Sequence, residues 1–152
     1  MNPPINIVCP NGKTIYVMNR KWAIDLFGHN GVPNSSALVS ISCQNEYEEP
    51  IHFDGKHVLH LHFADTDDKT FPDAMSNTDA KAICEFIESL DADVKSIYVH
   101  CQAGQSRSAG VGAALVSILG GSSTKFFHCL TPNMYVYWHV LKAWNISRST
   151  NA

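Results

Sequence analysis

Short apolar segments separated by polar turns mark the first part of the chain. Ile5–Val8 and Thr14–Met18 flank the turn Cys9-Pro10-Asn11-Gly12, so the pattern predicts a β-hairpin in which Asn-Gly supplies positive φ. Asn19 is then expected to cap a short helix that continues through Phe27. The chain therefore opens with two strands and a helix.

Three further apolar segments predict core strands, and a helical periodicity lies between the last two. The strands are expected at Ala37–Ser42, Val58–Phe63 and Ser96–His100, each bounded by polar residues. Thr78 or Asn77 is expected to cap the intervening helix. Its apolar residues fall at helical spacing and predict one buried stripe: Ala80, Ile83, Cys84, Ile87 and Leu90.

Three more helices are predicted toward the carboxyl end of the chain. Ser108–Leu119 is rich in Ala, Gly, Val and Leu and is stopped by Gly120-Gly121. Ser123–Leu130 and Pro132–Trp144 follow, with Pro132 suited to a first helical turn. Alternating strands and helices predict a layered α/β fold, in which ligands bind at the carboxyl ends of strands.

Composition limits the classes of function. The 152 residues suit a single domain spanning 1–152, and 45% apolar with 16% charged residues is typical of a globular protein. A net charge of −3 supplies no basic field for nucleic acid or anionic membranes, so we expect neither partner. Five cysteines without CxxC spacing indicate neither a disulfide framework nor a zinc site, and Met1–Pro4 lacks a basic leader. We therefore expect a cytoplasmic protein, and the residues do not indicate its oligomeric state.

The segment from Val99 to Ser108 carries the candidate chemistry. It joins a strand end, a cysteine, five loop residues, an arginine and a helix start. A loop before a helix N-terminus directs backbone N–H groups inward, and together with the helix dipole these groups form an anion site. Arg107 can hold two phosphoryl oxygens through its planar fork. The residues predicted to cradle phosphate are Gln102, Ala103, Gly104, Gln105, Ser106 and Arg107.

The cysteine of this segment is the candidate nucleophile. The positive environment of the loop is expected to hold Cys101 as a thiolate at neutral pH, so that it attacks phosphorus. Gly104 permits a positive φ or a close approach of the backbone to ligand. His100 is expected to support the cysteine through a hydrogen bond to neighbouring backbone. Ser108 is placed to hydrogen-bond the sulfur when it leaves a phosphocysteine.

These residues carry a resemblance to a known family. His-Cys-x5-Arg-Ser with Ala103-Gly104 inside it resembles the signature of the cysteine-dependent protein tyrosine phosphatases, in particular the small dual-specificity branch. The resemblance implies a three-layer, mostly parallel twisted sheet with helices on both faces, no metal or other cofactor, and a phosphocysteine intermediate. Gln105 replaces an apolar residue common in the family. Pro132-Asn133 resembles an element that abuts the active loop in the family.

The resemblance also implies a carboxylic acid that protonates the leaving group. In the family this acid lies on a loop after the strand that corresponds to Val58–Phe63, and here that loop reads Ala64-Asp65-Thr66-Asp67-Asp68. We assign the role to Asp65, with Asp68 as the alternative, because neighbouring acids make a slip in alignment easy. General-acid assistance contributes about 10²–10⁴ in rate.

The function expected from these residues is hydrolysis of phosphotyrosine in protein or peptide substrates, with phosphoserine and phosphothreonine left open as further substrates. A phosphoinositide substrate is less favoured because the loop lacks lysine. A rhodanese-like sulfurtransferase and a catalytically impaired phosphopeptide-binding module are the alternatives. The same sequence supports two other interpretations less strongly: a chance C-x5-R match, and a metal site at His60 and His62.

Overall fold

The structure, a computed structural model, describes residues 2–43 and 51–150. Within these residues five strands form one sheet: β1 (Ile5–Val8), β2 (Thr14–Asn19), β3 (Ser36–Ser42), β4 (Val58–His62) and β5 (Ser96–Cys101). Their order in the sheet is β1-β2-β5-β3-β4. β1 pairs antiparallel with β2, and the other three pairs are parallel, which confirms the mostly parallel sheet.

Helices cover both faces of the sheet, as expected. On one face α1 packs through Ala23 and Phe27 against Met18 and Leu38. On the other face α2, α3, α4 and α5 bury the larger core together with the inward residues of the strands. The helices are α1 (Arg20–Phe27), α2 (Asn77–Ser89), α3 (Arg107–Ile118), α4 (Thr124–Cys129) and α5 (Met134–Thr150). Within residues 2–43 and 51–150, no helix is both long and apolar enough to span a bilayer.

Parallel register brings several strand ends to one edge of the sheet. Asn19 at the end of β2 is aligned with Cys101 at the end of β5. The backbone N–H of Phe63, just after β4, donates to the carbonyl of Ser42 at the end of β3, at 2.9 Å. The loops that follow β2, β4 and β5 therefore begin at the same edge, where ligands of such sheets bind.

The hairpin and the first helix form as predicted. Gly12 adopts φ +87°, and its N–H donates to the carbonyl of Cys9 at 3.0 Å. Asn19 caps α1 by accepting a hydrogen bond from the backbone N–H of Trp22 at 2.9 Å. The turn residue and the cap residue thus act locally, as their sequence positions indicated.

The predicted cap of α2 was wrong by one or two residues. Ser76, and not Asn77 or Thr78, is the N-cap, because it forms a capping box with Asp79. The Ser76 hydroxyl accepts from the Asp79 N–H at 3.1 Å, and the Asp79 carboxylate accepts from the Ser76 N–H at 2.9 Å. Two backbone donors are satisfied at once, which a single Thr or Asn cap does not achieve.

The last helix begins later and ends later than predicted. α5 runs from Met134 to Thr150, whereas Pro132–Trp144 was expected. Asn133 precedes the helix, and its side-chain oxygen accepts from the backbone N–H of Val136 at 3.1 Å. A side chain that satisfies a first-turn donor sets the start of the helix more strongly than the proline does.

Candidate active site

Cys101 lies at the base of the loop that joins β5 to α3. It is the last residue of β5, and its side chain is only 2% exposed. Its Sγ lies 3.0 Å from the hydroxyl oxygen of Ser108, which is fully buried in the first turn of α3. The structure therefore brings together the two residues that the sequence paired as nucleophile and sulfur hydrogen-bond donor.

The loop between Cys101 and α3 turns its carbonyl groups toward neighbouring elements. The carbonyl of Gln102 accepts from the backbone N–H of Arg20 at 3.3 Å, and the carbonyl of Gln105 accepts from that of Thr131 at 3.0 Å. The carbonyl of Ser106 accepts from the N–H of Asn133 at 2.9 Å.

These outward carbonyls fix the direction of the loop amides. The C=O and N–H of a trans peptide point in opposite directions, and the described chain contains no cis peptide bond. The N–H groups of Ala103, Ser106 and Arg107 therefore point away from those neighbours, toward the inside of the loop. A concave set of amides at a helix N-terminus binds an anion.

Gly104 allows the loop to lie directly on the junction between β2 and α1. It adopts φ +68°, and a Cβ at this position would lie 2.5 Å from the backbone N of Asn19 and 2.6 Å from the carbonyl carbon of Met18. Both the conformation and the close approach require glycine. The positive φ predicted for this residue is confirmed, and the close approach seen here is to the backbone of Met18 and Asn19.

Arg107 connects the loop to the end of β4. Its side chain is buried, and one guanidinium N–H (Nη1) donates to the carbonyl of Phe63 at 3.0 Å. Phe63 lies two residues before Asp65 in the chain. The guanidinium of the loop and the start of the acidic segment are thus held together.

Asp65 lies at the rim of the same loop. Its side-chain oxygen Oδ1 accepts a hydrogen bond from the Ser106 hydroxyl at 2.7 Å and a second from the side-chain amide of Asn133 at 2.9 Å. Ser106 is the N-cap residue of α3, but its side chain makes no cap hydrogen bond. This hydroxyl donates to Asp65 and accepts no hydrogen bond from the first-turn amides of α3.

Asn133 is a site residue that the sequence prediction placed beside the loop only by resemblance and to which it gave no role. Besides Asp65, its side-chain amide donates to the carbonyl of Thr66 at 3.2 Å, and its backbone N–H donates to Ser106. It therefore joins the acidic segment, the loop and the start of α5. The only signal in the sequence was its position after Pro132 in an element that resembles one of the family.

His100 lies beneath the loop on the strand that carries Cys101. It is 2% exposed, its Nε2 lies 2.6 Å from the hydroxyl of Ser40, and its Nδ1 lies 3.4 Å from the carbonyl of Cys101. Burial lowers the pKa of His100 to about 4. The neutral ring then donates from Nδ1 to the carbonyl and accepts at Nε2 from Ser40. This contact matches the expected supporting role.

The alternative acid and the histidine pair make contacts outside the loop. Asp68 accepts from the hydroxyl of Thr70 at 2.7 Å and from its backbone N–H at 2.9 Å, and these hydrogen bonds lower the pKa of Asp68. His60 accepts from the backbone N–H of Phe53 at 3.2 Å, and His62 lies 2.7 Å from the hydroxyl of Ser42. Both histidines therefore have structural partners.

Comparison with known proteins identifies the relatives of this arrangement. The family model described as "Dual specificity phosphatase, catalytic domain" matches residues 34–130, which is more than half of the chain. No curated protein matches the sequence.

Solved structures share the fold at low sequence identity. Human tyrosine phosphatase-like serine/threonine/tyrosine-interacting protein is 19% identical with a TM-score of 0.57, covering 94% of this chain and 97% of that one. A mouse putative dual specificity phosphatase complexed with zinc tungstate is 20% identical with a TM-score of 0.55, and the match covers 99% of this chain and 92% of that one. PTPMT1 in complex with PI(5)P is 14% identical with a TM-score of 0.55, and the match covers 91% of this chain and 94% of that one.

Proposed function

The chain belongs to the dual specificity phosphatase family, and from this premise we propose that it hydrolyses phosphotyrosine, and also phosphoserine or phosphothreonine, in protein or peptide substrates. Cys101 is the nucleophile, Arg107 and the loop amides hold the phosphoryl group, and Asp65 is the general acid. Ser108 donates a hydrogen bond to the sulfur, and His100 positions the backbone of the cysteine.

In the first step the Cys101 thiolate attacks phosphorus. A sulfur–phosphorus bond forms as the bond from phosphorus to the ester oxygen breaks. Asp65 gives its proton to that oxygen, so that the product leaves as a neutral alcohol or phenol. Arg107 and the amides of the loop stabilise the charge that spreads over the three equatorial oxygens.

In the second step water attacks phosphorus and the sulfur–phosphorus bond breaks. Asp65, now ionised, takes a proton from the water, and inorganic phosphate is released. The Ser108 hydroxyl, 3.0 Å from Sγ, donates a hydrogen bond to the sulfur as negative charge returns to it. The reaction thereby restores the thiolate and the protonated acid.

One observation carries this proposal: the hydrogen bond between the Ser106 hydroxyl and Asp65 Oδ1, 2.7 Å long. It places an exposed carboxyl group at the rim of a loop whose base holds a buried cysteine. Since Oδ1 accepts both hydrogen bonds from Ser106 and Asn133, Oδ2 is the oxygen that carries the proton. A sulfurtransferase has no step that needs this proton.

The test uses purified protein without added metal. Wild-type protein is expected to release phosphate from p-nitrophenyl phosphate and from phosphotyrosine peptides, and Cys101→Ser is expected to abolish turnover. Asp65→Asn should lower kcat on phosphotyrosine by about 10²–10⁴. Asp68→Asn is the matched control and should stay within about twofold of wild type.

Three results would reject the assignment. Turnover by Cys101→Ser protein would exclude the phosphocysteine route. A larger loss from Asp68→Asn than from Asp65→Asn would transfer the acid role to Asp68. A protein that binds phosphopeptides tightly and releases no phosphate would instead be a binding module.

A phosphoinositide is the second candidate substrate, because PTPMT1, which shares the fold, is described in complex with PI(5)P. The groove beside the loop argues against it. Asp65 and Asp67 line that groove, and none of its lining residues in the described part of the chain is a lysine or arginine. Two carboxylates repel the additional phosphates of an inositol headgroup. Phosphate release from PI(5)P and from a phosphotyrosine peptide, measured in parallel, separates the two substrates.

We further propose a cytoplasmic location and a single domain across residues 1–152, with phosphoproteins as partners. Free cysteines at four positions support a reducing compartment: Cys9, Cys84, Cys101 and Cys129. One sheet with two helical layers supports the single domain. Cell fractionation with a tagged full-length chain tests the location.

A further inference from the structure

An exposed apolar groove continues from the rim of the active site along α5. The rim groove, of about 430 Å³, includes Asp65, Ser106 and Met134. Met134 also lines a second groove, of about 790 Å³. We call this second one the α5 groove, and its principal residues are Lys69, Phe71, Met75, Met134, Trp138 and Lys142.

Three apolar side chains of the α5 groove are exposed. Trp138 is 60% exposed, and Phe71 and Met134 are each 43% exposed. Met134 and Trp138 are four residues apart on α5, so they lie on the same face of the helix. Exposed aromatic side chains grouped in a cleft mark an interaction site more strongly than isolated ones do.

The charge of the α5 groove favours an acidic partner. Lys69 and Lys142 line it, and no aspartate or glutamate is among its described lining residues. This is the opposite of the rim groove, where Asp65 and Asp67 lie. A polypeptide that passes from one groove to the other therefore meets carboxylates first and lysines afterwards.

We propose that the α5 groove binds the phosphoprotein substrate itself, through an apolar side chain and a following acidic side chain on one side of the phosphorylated residue. This inference rests on the proposed function and names its substrate class. Continuity through Met134 supports it, because a chain whose phosphoryl group occupies the Cys101 loop enters the α5 groove without leaving the surface.

The dimensions of the helix set the spacing of the motif. Trp138 lies about 6 Å and Lys142 about 12 Å along α5 from Met134, at 1.5 Å per residue. An extended peptide advances about 3.3 Å per residue, so these distances correspond to about two and about four substrate residues. The substrate's apolar residue contacts Trp138, and its acidic residue lies about two positions further along.

The test compares peptides that share one phosphotyrosine in an alanine background. Each carries Leu-Ala-Asp at a different offset before or after the phosphotyrosine, and an all-alanine peptide and p-nitrophenyl phosphate serve as references. Wild-type protein is expected to raise kcat/KM about tenfold for one narrow range of offsets on one side only. Trp138→Ala should reduce that preference to about twofold or less, and Lys142→Glu should favour Leu-Ala-Lys over Leu-Ala-Asp.

Leu26→Ala is the matched control, since Leu26 is 44% exposed on α1, on the opposite face of the sheet. It should retain the wild-type preference. Fluorescence polarisation of the same peptides with Cys101→Ser protein reads the preference in binding alone. A failure of the groove is therefore distinguishable from a failure of the chemistry.

Three results would overturn the inference. The first is equal kcat/KM and equal binding for every peptide, and the second is an unchanged preference in Trp138→Ala. The third is Trp138-dependent binding to vesicles of 4:1 phosphatidylcholine and phosphatidylserine, or Trp138-dependent dimerisation, without a peptide preference. Those outcomes would assign the groove to a membrane or to a second copy of the chain.

Discussion

Replacing Gly104 by alanine tests the seating of the phosphate-binding loop on the β2–α1 junction. An alanine at φ +68° costs about 1–2 kcal/mol from backbone strain. Its Cβ would also lie 2.5 Å from the Asn19 nitrogen, and backbone at that position cannot rotate away as a side chain would. Forcing an extra carbon into such a site adds about 1–3 kcal/mol. The expected total loss of stability is about 2–5 kcal/mol.

Gly120 provides the matched control for this prediction. It adopts φ +81°, but a Cβ there meets nothing within 4 Å. Gly120→Ala therefore carries the strain of about 1–2 kcal/mol without the contact. The effect of alanine on the unfolded chain is common to both variants and cancels in the comparison. The difference between the two isolates the close approach to Asn19.

Urea unfolding of both variants, combined with kcat on p-nitrophenyl phosphate, measures the effect. Gly104→Ala should be less stable than Gly120→Ala by about 1–3 kcal/mol. Its kcat should also fall, by up to about 100-fold, because a displacement of about 1 Å in a catalytic group has that effect. Equal stabilities of the two variants, together with a wild-type kcat in Gly104→Ala, would refute the close packing of the loop against Asn19.

The remaining predictions concern residues around the cysteine. Ser40→Ala should cost about 1–3 kcal/mol in urea unfolding, because it leaves the buried Nε2 of His100 without a donor. In the folded protein the pKa of His100 is lowered to about 4, whereas in the unfolded chain it is about 6.5. The neutral ring therefore contributes its full stabilisation above pH 6.5. As pH falls from 6.5 to 4, up to about 3 kcal/mol is lost; thermal unfolding of His100→Asn should show a flatter pH dependence. Ser108→Ala should slow release of phosphate from the sulfur, so that a phosphocysteine accumulates in rapid-quench samples; equal levels in wild type and variant would contradict this role.

The strand, loop and helix around Cys101 could be predicted because the signals are local. A strand, a cysteine, a glycine-containing loop and an arginine follow one another within ten residues, and chain connectivity alone places them together. The structure puts β5 at Ser96–Cys101 and the start of α3 at Arg107, within one residue of the prediction. Covalent spacing leaves little freedom over so short a segment.

The rim of the site could be predicted only in part, because it depends on distant segments. Asp65 meets Ser106 across 41 positions and Asn133 across 68 positions of the chain. Composition shows that several acids lie after β4, but only packing selects which of them contacts the loop. Asn133 was placed beside the loop only by its resemblance to a family element, and its partners could not be predicted because Asp65 and Thr66 lie far from it in the chain.

Helical periodicity likewise left the aromatic residues of α5 ambiguous. Tyr135, Tyr137, Trp138 and Trp144 fall at mixed helical spacing, and three of them, Tyr135, Tyr137 and Trp144, are half-buried in the structure. Trp138 is instead 60% exposed, because Val136 and Val140 already fill the buried side of the helix. Which aromatic side chain remains exposed is decided by how α5 rotates against α2 and α3.

Identification of the atom that bonds to phosphorus is the most direct test of the phosphocysteine mechanism. Wild-type protein mixed with p-nitrophenyl phosphate and quenched in acid within milliseconds is digested and analysed by mass spectrometry. Cys84 serves as an internal control, because burial raises the pKa of its thiol to about 11. We expect one phosphoryl group on the peptide that contains Cys101, at Sγ, with a burst of p-nitrophenolate that matches the enzyme concentration. A phosphoryl group on any other residue, or turnover with a burst and no modified Cys101 peptide, would contradict the mechanism.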